Sequence, residues 1–174
     1  MRRSRGGLKA AAAGALLAGL LHATPATAQG EAPATSVKAT ETPWTVSCEP
    51  AVQGFSVKCQ VTKQLRTVEP VSLIAQVTVL TIEDRPAMRI IAPHELAIGS
   101  GLALQVDGKD IGTRAFTTSV ASGIVSLFLL EEATLAEIGK GRKLRVAAKT
   151  RTGRDFIFAV SLEGLSAGLR DVVR

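Results

Sequence analysis

Few residues of this chain could carry out acid–base or metal chemistry. After residue 28 there is a single histidine, His94, in the stretch Pro93-His94-Glu95. A hydrolytic triad holds its histidine between a nucleophile and a carboxylate, and a zinc-protease helix needs a second histidine four residues later. Neither pattern surrounds His94, and the adjacent proline indicates a loop. We therefore predict no catalytic residue and no cofactor, and a small hydrolase using His94 is the least favoured alternative.

Two acidic pairs are explained by local structure rather than by metal binding. Asp107 and Asp110 flank a glycine and a lysine, and the spaced carboxylates of a calcium loop are missing, so a turn is predicted. Glu131 and Glu132 open a predicted helix, where the helix dipole favours negative charge. The sequence therefore predicts no metal site.

Cys48 and Cys59 are the two cysteines of the chain. Each lies in a segment where apolar and polar residues alternate, which is typical of strands, and turn residues separate the two segments. For an exported chain this pair predicts a disulfide, worth about 3 kcal/mol in the chain-entropy account. A metal-binding pair is the alternative, but no histidine or further cysteine is nearby to complete a zinc site.

The strongest charge feature is a basic stretch at residues 140–154. Alternation places Lys143, Arg145, Lys149 and Arg151 on one side of a predicted hairpin, opposite apolar residues, and makes this side a candidate face for an anionic ligand. The favoured interpretation of these charges is nevertheless an edge strand that they protect against aggregation. No aromatic residues interleave the bases for stacking, so no nucleic-acid partner is predicted. The stretch contains no acid and seven bases, Lys140, Arg142, Lys143, Arg145, Lys149, Arg151 and Arg154.

Short alternating runs separated by turn residues position these side chains. Leu102, Leu104 and Val106 alternate with small or polar residues ahead of Asp107-Gly108, a hairpin-turn dipeptide. Residues 124–130 are apolar on both faces, as in a strand covered on both sides. Residues 131–138 predict a short helix, and apolar residues at helical spacing predict another at the C-terminus. The fold class is all-β, an antiparallel β-sandwich or flattened barrel of about eight strands with two short helices.

The N-terminus has the three parts of a cleavable signal peptide over residues 1–28. Four bases precede an apolar run at residues 10–21, and Ala26-Thr27-Ala28 supplies the small residues before a cleavage site. A membrane anchor is the alternative, but a span needs about 20 apolar residues and this run breaks at His22. Residues 29–42 are poor in large apolar side chains and predict a flexible leader, and residues 43–174 predict a single β-sandwich domain.

Loss of the signal peptide would remove most of the net charge. The chain has 21 basic and 15 acidic residues, and four of the bases and none of the acids lie within residues 1–28. Seventeen bases then face 15 acids, a net charge of +2. Global basicity is therefore no argument for nucleic-acid binding.

Six short segments follow one another in a recognisable order along residues 42–173. They are Trp44-Thr45-Val46-Ser47-Cys48, Cys59-Gln60, Arg89-Ile90-Ile91-Ala92-Pro93, residues 101–108 (GLALQVDG), Gly139-Lys140-Gly141 and residues 161–169 (SLEGLSAGL). In order and spacing they resemble the invasion-associated locus B family of bacterial exported proteins. Two positions depart from that pattern. Residues 116–124 keep a family glycine, Gly123, but lack a second cysteine pair, and Glu95 stands where glycine is frequent.

The resemblance implies a β-sandwich in the periplasm or associated with the cell surface, without enzyme activity. We therefore predict an exported, non-catalytic protein of the invasion-associated type that is periplasmic, secreted or surface-associated. Its predicted partner is an unidentified protein or anionic surface component of the host or envelope, and no transmembrane segment remains after signal cleavage. The alternative is a periplasmic housekeeping or stress-related accessory domain without host contact.

Overall fold

The computed structural model describes residues 39–49 and 58–173 of the chain. The predicted signal peptide, and the leader up to residue 38, lie outside the described residues. The described strands are β1 (Ala39–Glu41), β2 (Thr45–Glu49), β3 (Lys58–Thr67), β4 (Leu73–Ile82), β5 (Arg85–Ala92), β6 (Leu102–Val106), β7 (Lys109–Arg114), β8 (Thr118–Val120), β9 (Gly123–Leu129), β10 (Lys143–Lys149) and β11 (Asp155–Ser161). The helices are α1 (Glu132–Lys140) and α2 (Leu165–Val172).

These strands form two antiparallel sheets that do not close into a barrel. The first sheet has the order β1-β3-β4-β5-β9-β8, and β2 pairs with the same edge of β3 as β1 does. The second sheet has the order β11-β10-β6-β7. The predicted all-β class with a C-terminal helix is confirmed. The described residues contain more strands than the eight or so predicted, because three-residue strands such as β1 and β8 are too short to show alternation.

One hydrophobic core lies between the buried sides of the two sheets. Alternate residues of β3, β4 and β5 supply it from the first sheet, and alternate residues of β6, β10 and β11 supply it from the second. The helices close the core, with Ile138 of α1 and Leu165 and Val172 of α2 all buried. Since strand side chains alternate between faces, most polar residues between these positions lie on the outer sides of the sheets and form the candidate binding surfaces, although Thr78 of β4 is buried.

Strand β9 is covered along only part of its length. Its first four residues, Gly123 to Ser126, are buried, whereas Leu127 and Phe128 are half-buried. Leu129, at the end of the strand, is 38% exposed. The apolar run at residues 124–130 therefore predicts the strand correctly and overstates the cover on its outer face.

The end of the segment predicted as a flexible leader forms a strand. Ala39–Glu41 pairs with Leu65–Thr67 of β3, and Thr42 continues the contact by donating its backbone N–H to the carbonyl oxygen of Gln64. Composition does not predict this strand, because backbone hydrogen bonds and the single side chain of Glu41 hold it in place rather than a run of apolar residues.

Candidate functional site

The basic strand β10 lies in the interior of its sheet. It pairs with β11 on one side and with β6 on the other, so the interpretation of its charges as protection for an edge strand is wrong. The alternation is as predicted, with Leu144, Val146 and Ala148 buried in the core. On the opposite side Lys143 and Lys149 are exposed and Arg145 is half-buried.

The four bases predicted to share this side do not form one continuous positively charged surface. Lys149 lies directly across from Asp155 in the sheet, and its Nζ is 2.7 Å from that carboxylate. Arg151 lies beyond the end of β10, in the turn to β11. Because a strand rises about 3.3 Å per residue, Lys149 is about 20 Å from Lys143 along β10. The two ends of the strand are separate electrostatic environments.

An open groove with a volume of about 700 Å³ lies where β10 begins. Three bases line it in succession, Arg142, Lys143 and Arg145, and we call it the basic groove. Glu41 and Asp107 are its two acids, and Ser161, at the end of β11, is part of its wall. Arg142 belongs to the basic stretch but not to the four residues predicted from alternation, because it precedes the strand.

The groove acid Asp107 already has hydrogen-bond partners on the backbone. Its carboxylate accepts from the backbone N–H groups of Arg142 at 2.9 Å and Lys143 at 3.0 Å. Asp107 begins the predicted Asp-Gly turn between β6 and β7, and it adopts a positive φ of 49°. The turn thus places this acid under the backbone that carries two of the groove bases.

The other groove acid, Glu41, pairs with a buried lysine. Lys63 Nζ is 3.1 Å from the Glu41 carboxylate, which also accepts the backbone N–H of Ser161 at 3.1 Å. Arg145 donates from Nη1 to the side-chain oxygen of Gln105 at 3.2 Å. Over residues 39–49 and 58–173, no carboxylate lies within ion-pair distance of the side chains of Arg142, Lys143 or Arg145.

The predicted disulfide is present at the edge of the first sheet. Cys48 of β2 lies directly opposite Cys59 of β3 in the antiparallel register, and the two sulfurs are bonded. The bond closes a loop across a sequence separation of 11. Because Cys48 is also paired through the backbone of β2, the disulfide fastens this outer strand to the body of the sheet.

The chain matches the profile of a known family, "Invasion associated locus B (IalB) protein", over residues 44–173. The chain belongs to the IalB family. The crystal structure of invasion associated protein B from Bartonella henselae has a similar fold, with a TM-score of 0.64 and 17% sequence identity. The similarity covers 80% of this chain and 96% of that chain, and at this identity it concerns the fold. A comparison with curated proteins found no match.

His94 of this IalB-family protein lies in a turn after β5 and is exposed. Among the residues that the structure describes, its side chain has no hydrogen bond or ion pair, so no nucleophile or carboxylate is held against it. The same part of the chain contains no group of three or more His, Cys, Asp or Glu residues arranged to hold a metal ion.

No helix within the described ranges is both long enough and apolar enough to cross a membrane. The described helices α1 and α2 have nine and eight residues, and a membrane-spanning helix needs about 20.

A second polar surface of the IalB-family chain was missed by the sequence analysis. It lies on the solvent-facing side of the first sheet, where Gln60, Gln64, Gln76 and Arg89 meet. Each residue is an ordinary polar position of an alternating strand when considered alone. Only the order of the strands in the sheet, which local patterns do not contain, brings the four together.

Proposed function

We propose that this IalB-family protein is exported and acts, without catalysis, by binding an anionic component of the cell envelope or of a host surface. The observation that carries the proposal is the basic groove. Three bases open onto it, while both of its acids are bonded to backbone N–H groups or to Lys63. The lining carries three positive charges against two negative ones, and Lys63 pairs with one of the two acids, so a net positive charge remains to attract an anionic surface.

Export is supported by two features of the chain. The N-terminal 28 residues have the composition of a signal peptide, and the cysteines are bonded to each other. Disulfides persist in oxidising compartments outside the cytoplasm. After cleavage the net charge would be only +2, so attraction to an anionic surface has to come from local charge. At about 0.15 M salt the field of such a charge extends roughly 8 Å, and the ligand must therefore dock against the groove.

The test replaces two exposed groove bases in the variant Arg142→Gln/Lys143→Gln. Each cation near an anionic lipid surface contributes about 1 kcal/mol, so binding to vesicles of phosphatidylglycerol and phosphatidylcholine should fall about 30-fold. Binding of the unmodified protein should weaken as salt rises. Arg145 is left unchanged because it is half-buried and bonded to Gln105. Vesicle co-sedimentation gives the measurement.

The matched control is Arg151→Gln/Arg154→Gln, which removes the same charge from the turn at the other end of the strand. Both control residues are exposed, and the control protein should bind almost as well as the unmodified one. Equal losses in the two variants, or no loss in the groove variant, would contradict the assignment of binding to the groove.

A further inference from the structure

The solvent-facing side of the first sheet contains a second groove, of about 380 Å³. We call it the Arg89 groove. Its lining consists only of threonine, serine and glutamine side chains and one arginine, Arg89. No residue of this lining carries a carboxylate, and none is an aliphatic or aromatic residue. The groove therefore combines one positive charge with many neutral hydrogen-bonding groups.

Strand alternation and register position these groups. On β3, Val61 and Leu65 point into the core, so Gln60, Thr62 and Gln64 point outward. Thr62 pairs with Thr78 of β4, which pairs with Arg89 of β5. The guanidinium therefore stands in one row with the hydroxyl of Thr62, which lines the groove, and with that of Thr78, which is buried and lies outside the lining.

Hydrogen bonds already fix the neutral groups in place. Gln64 donates from Nε2 to Oε1 of Gln76 at 3.0 Å, and the hydroxyls of Thr62 and Thr78 are 3.0 Å apart. Gln60 donates from Nε2 to the hydroxyl of Ser47 at 3.3 Å. Each amide or hydroxyl has further donor or acceptor capacity beyond these bonds, so the groove presents an ordered set of polar groups to a ligand.

Arg89 is the one member of this set that lacks adequate partners. Its Nη2 donates to Oε1 of Gln60 at 3.4 Å, and its buried Nε–H has no acceptor among the described residues. A guanidinium has five N–H donors arranged as a fork that matches a carboxylate. Because Nε is buried, a carboxylate in the groove would be bound by the terminal Nη groups, of which Nη2 has only the long bond to Gln60.

We propose that the Arg89 groove binds a saccharide residue that bears a carboxylate, such as a uronic acid. Arg89 binds the carboxylate, and the glutamine amides and threonine hydroxyls bind the hydroxyl groups of the sugar ring. A peptide ligand is disfavoured because the described lining of the Arg89 groove offers no apolar residue to receive a side chain, and a phosphate polyanion is disfavoured because this lining holds only one cation. The volume is at the small end of the range for ligand pockets, which suits one or two sugar residues.

This site is separate from the basic groove. The Arg89 groove lies on the first sheet, whereas Lys143 and Arg145 are on the second. The two grooves have no lining residue in common. The two proposals are tested by different variants, so a negative result for one groove does not contradict the proposal for the other.

The experiment titrates the full chain with galacturonic acid and, in parallel, with galactose, which differs by having a hydroxymethyl group in place of the carboxylate. Binding is followed by ligand-observed NMR. Galacturonic acid should bind and galactose should bind at least tenfold more weakly. Arg89→Gln should weaken galacturonic acid binding at least tenfold, since the amide cannot form the paired hydrogen bonds. Arg85→Gln, an exposed position of the same strand outside the groove, should bind as the unmodified protein does.

A second variant keeps the proposal testable if the Arg89→Gln protein fails to fold. Thr45→Val removes one exposed hydroxyl of the lining on β2, without touching Arg89, and should weaken galacturonic acid binding severalfold. Equal binding of galactose and galacturonic acid, or full binding by a folded Arg89→Gln, would overturn the proposal. Acetate that displaces the sugar acid at the same concentration as galacturonic acid itself would overturn the assignment of the ligand as a saccharide.

Discussion

Lys63 is the buried cation around which the N-terminal strand is organised. It is 5% exposed, and its Nζ bonds both the Glu41 carboxylate at 3.1 Å and the carbonyl oxygen of Ser161 at 2.9 Å. The same carbonyl accepts the indole N–H of Trp44 at 3.0 Å, and Nζ lies 5.3 Å from the centre of that ring. Ser161, at the end of β11, is thus bonded to β3 and to the loop before β2 through its carbonyl oxygen, and to β1 through its backbone N–H. Glu41 belongs both to this cluster and to the basic groove.

Replacing Glu41 with Gln should destabilise the protein. The change leaves the ammonium of Lys63 buried without a counter-charge, and breaking a buried pair costs about 3–5 kcal/mol. Since the Glu41 side chain is 31% exposed, we expect about 2 kcal/mol after allowing for solvent screening. Urea unfolding followed by tryptophan fluorescence measures the loss. The control Glu163→Gln changes an exposed acid and should shift the free energy of unfolding by less than about 0.5 kcal/mol. Equal effects of the two changes would show that the pair adds nothing to stability.

At the scale of elements, two glycines are required by close contacts. A Cβ on Gly141 would overlap the side chain of Val106. The backbone N–H of Gly141 also donates to the carbonyl oxygen of Glu137, where α1 ends. A Cβ on Gly123, at the start of β9, would overlap the carbonyl oxygen of Ala92. Because the backbone of β5 occupies that space, a side chain at position 123 could be accommodated only if β5 and β9 moved apart.

Gly123→Ala should therefore cost about 1–3 kcal/mol, the usual penalty for forcing an extra carbon into a filled space. Gly99→Ala is the matched control, because Gly99 has no atom within 4 Å of its added Cβ. The control should leave the midpoint of thermal unfolding almost unchanged, whereas Gly123→Ala should lower it. A Gly123→Ala protein as stable as the control would mean that β5 and β9 can separate freely.

Element boundaries were predictable where one local pattern decides them. Strand β6 has the predicted bounds, because alternation and the Asp-Gly turn both act within a few residues. Helix α1 continues two residues past its predicted end and stops before Gly141 instead of Gly139. The close approach of Val106, which is remote in sequence, leaves no room for a side chain at Gly141, and a pattern within the helix cannot show that constraint.

At the scale of the whole molecule, strand order limited what the sequence could predict. Alternation identified the solvent side of β10 correctly, but only the pairing of β10 with β6, about 40 residues earlier, makes it an interior strand. The pairing of β1 with β3, about 25 residues later, adds Glu41 to the basic groove, and the pairing of β2, β3, β4 and β5 assembles the Arg89 groove. The sequence showed which charged residues the candidate sites contain, but it did not show which residues from other strands lie next to them.

Processing at the N-terminus is the prediction that concerns the chain as a whole. Signal peptidase needs small residues at the first and third positions before the cut, which are Ala28 and Ala26 if the cut follows Ala28. The intact mass of the exported protein should match a chain that begins at Gln29. Replacing Ala28 with Leu should block processing, because the large side chain does not fit the peptidase. Thr27→Leu changes the position between them and should be processed normally. An exported protein that retains residues 1–28 would show that this segment is an anchor, and an Ala28→Leu protein cut normally would place the cleavage site elsewhere.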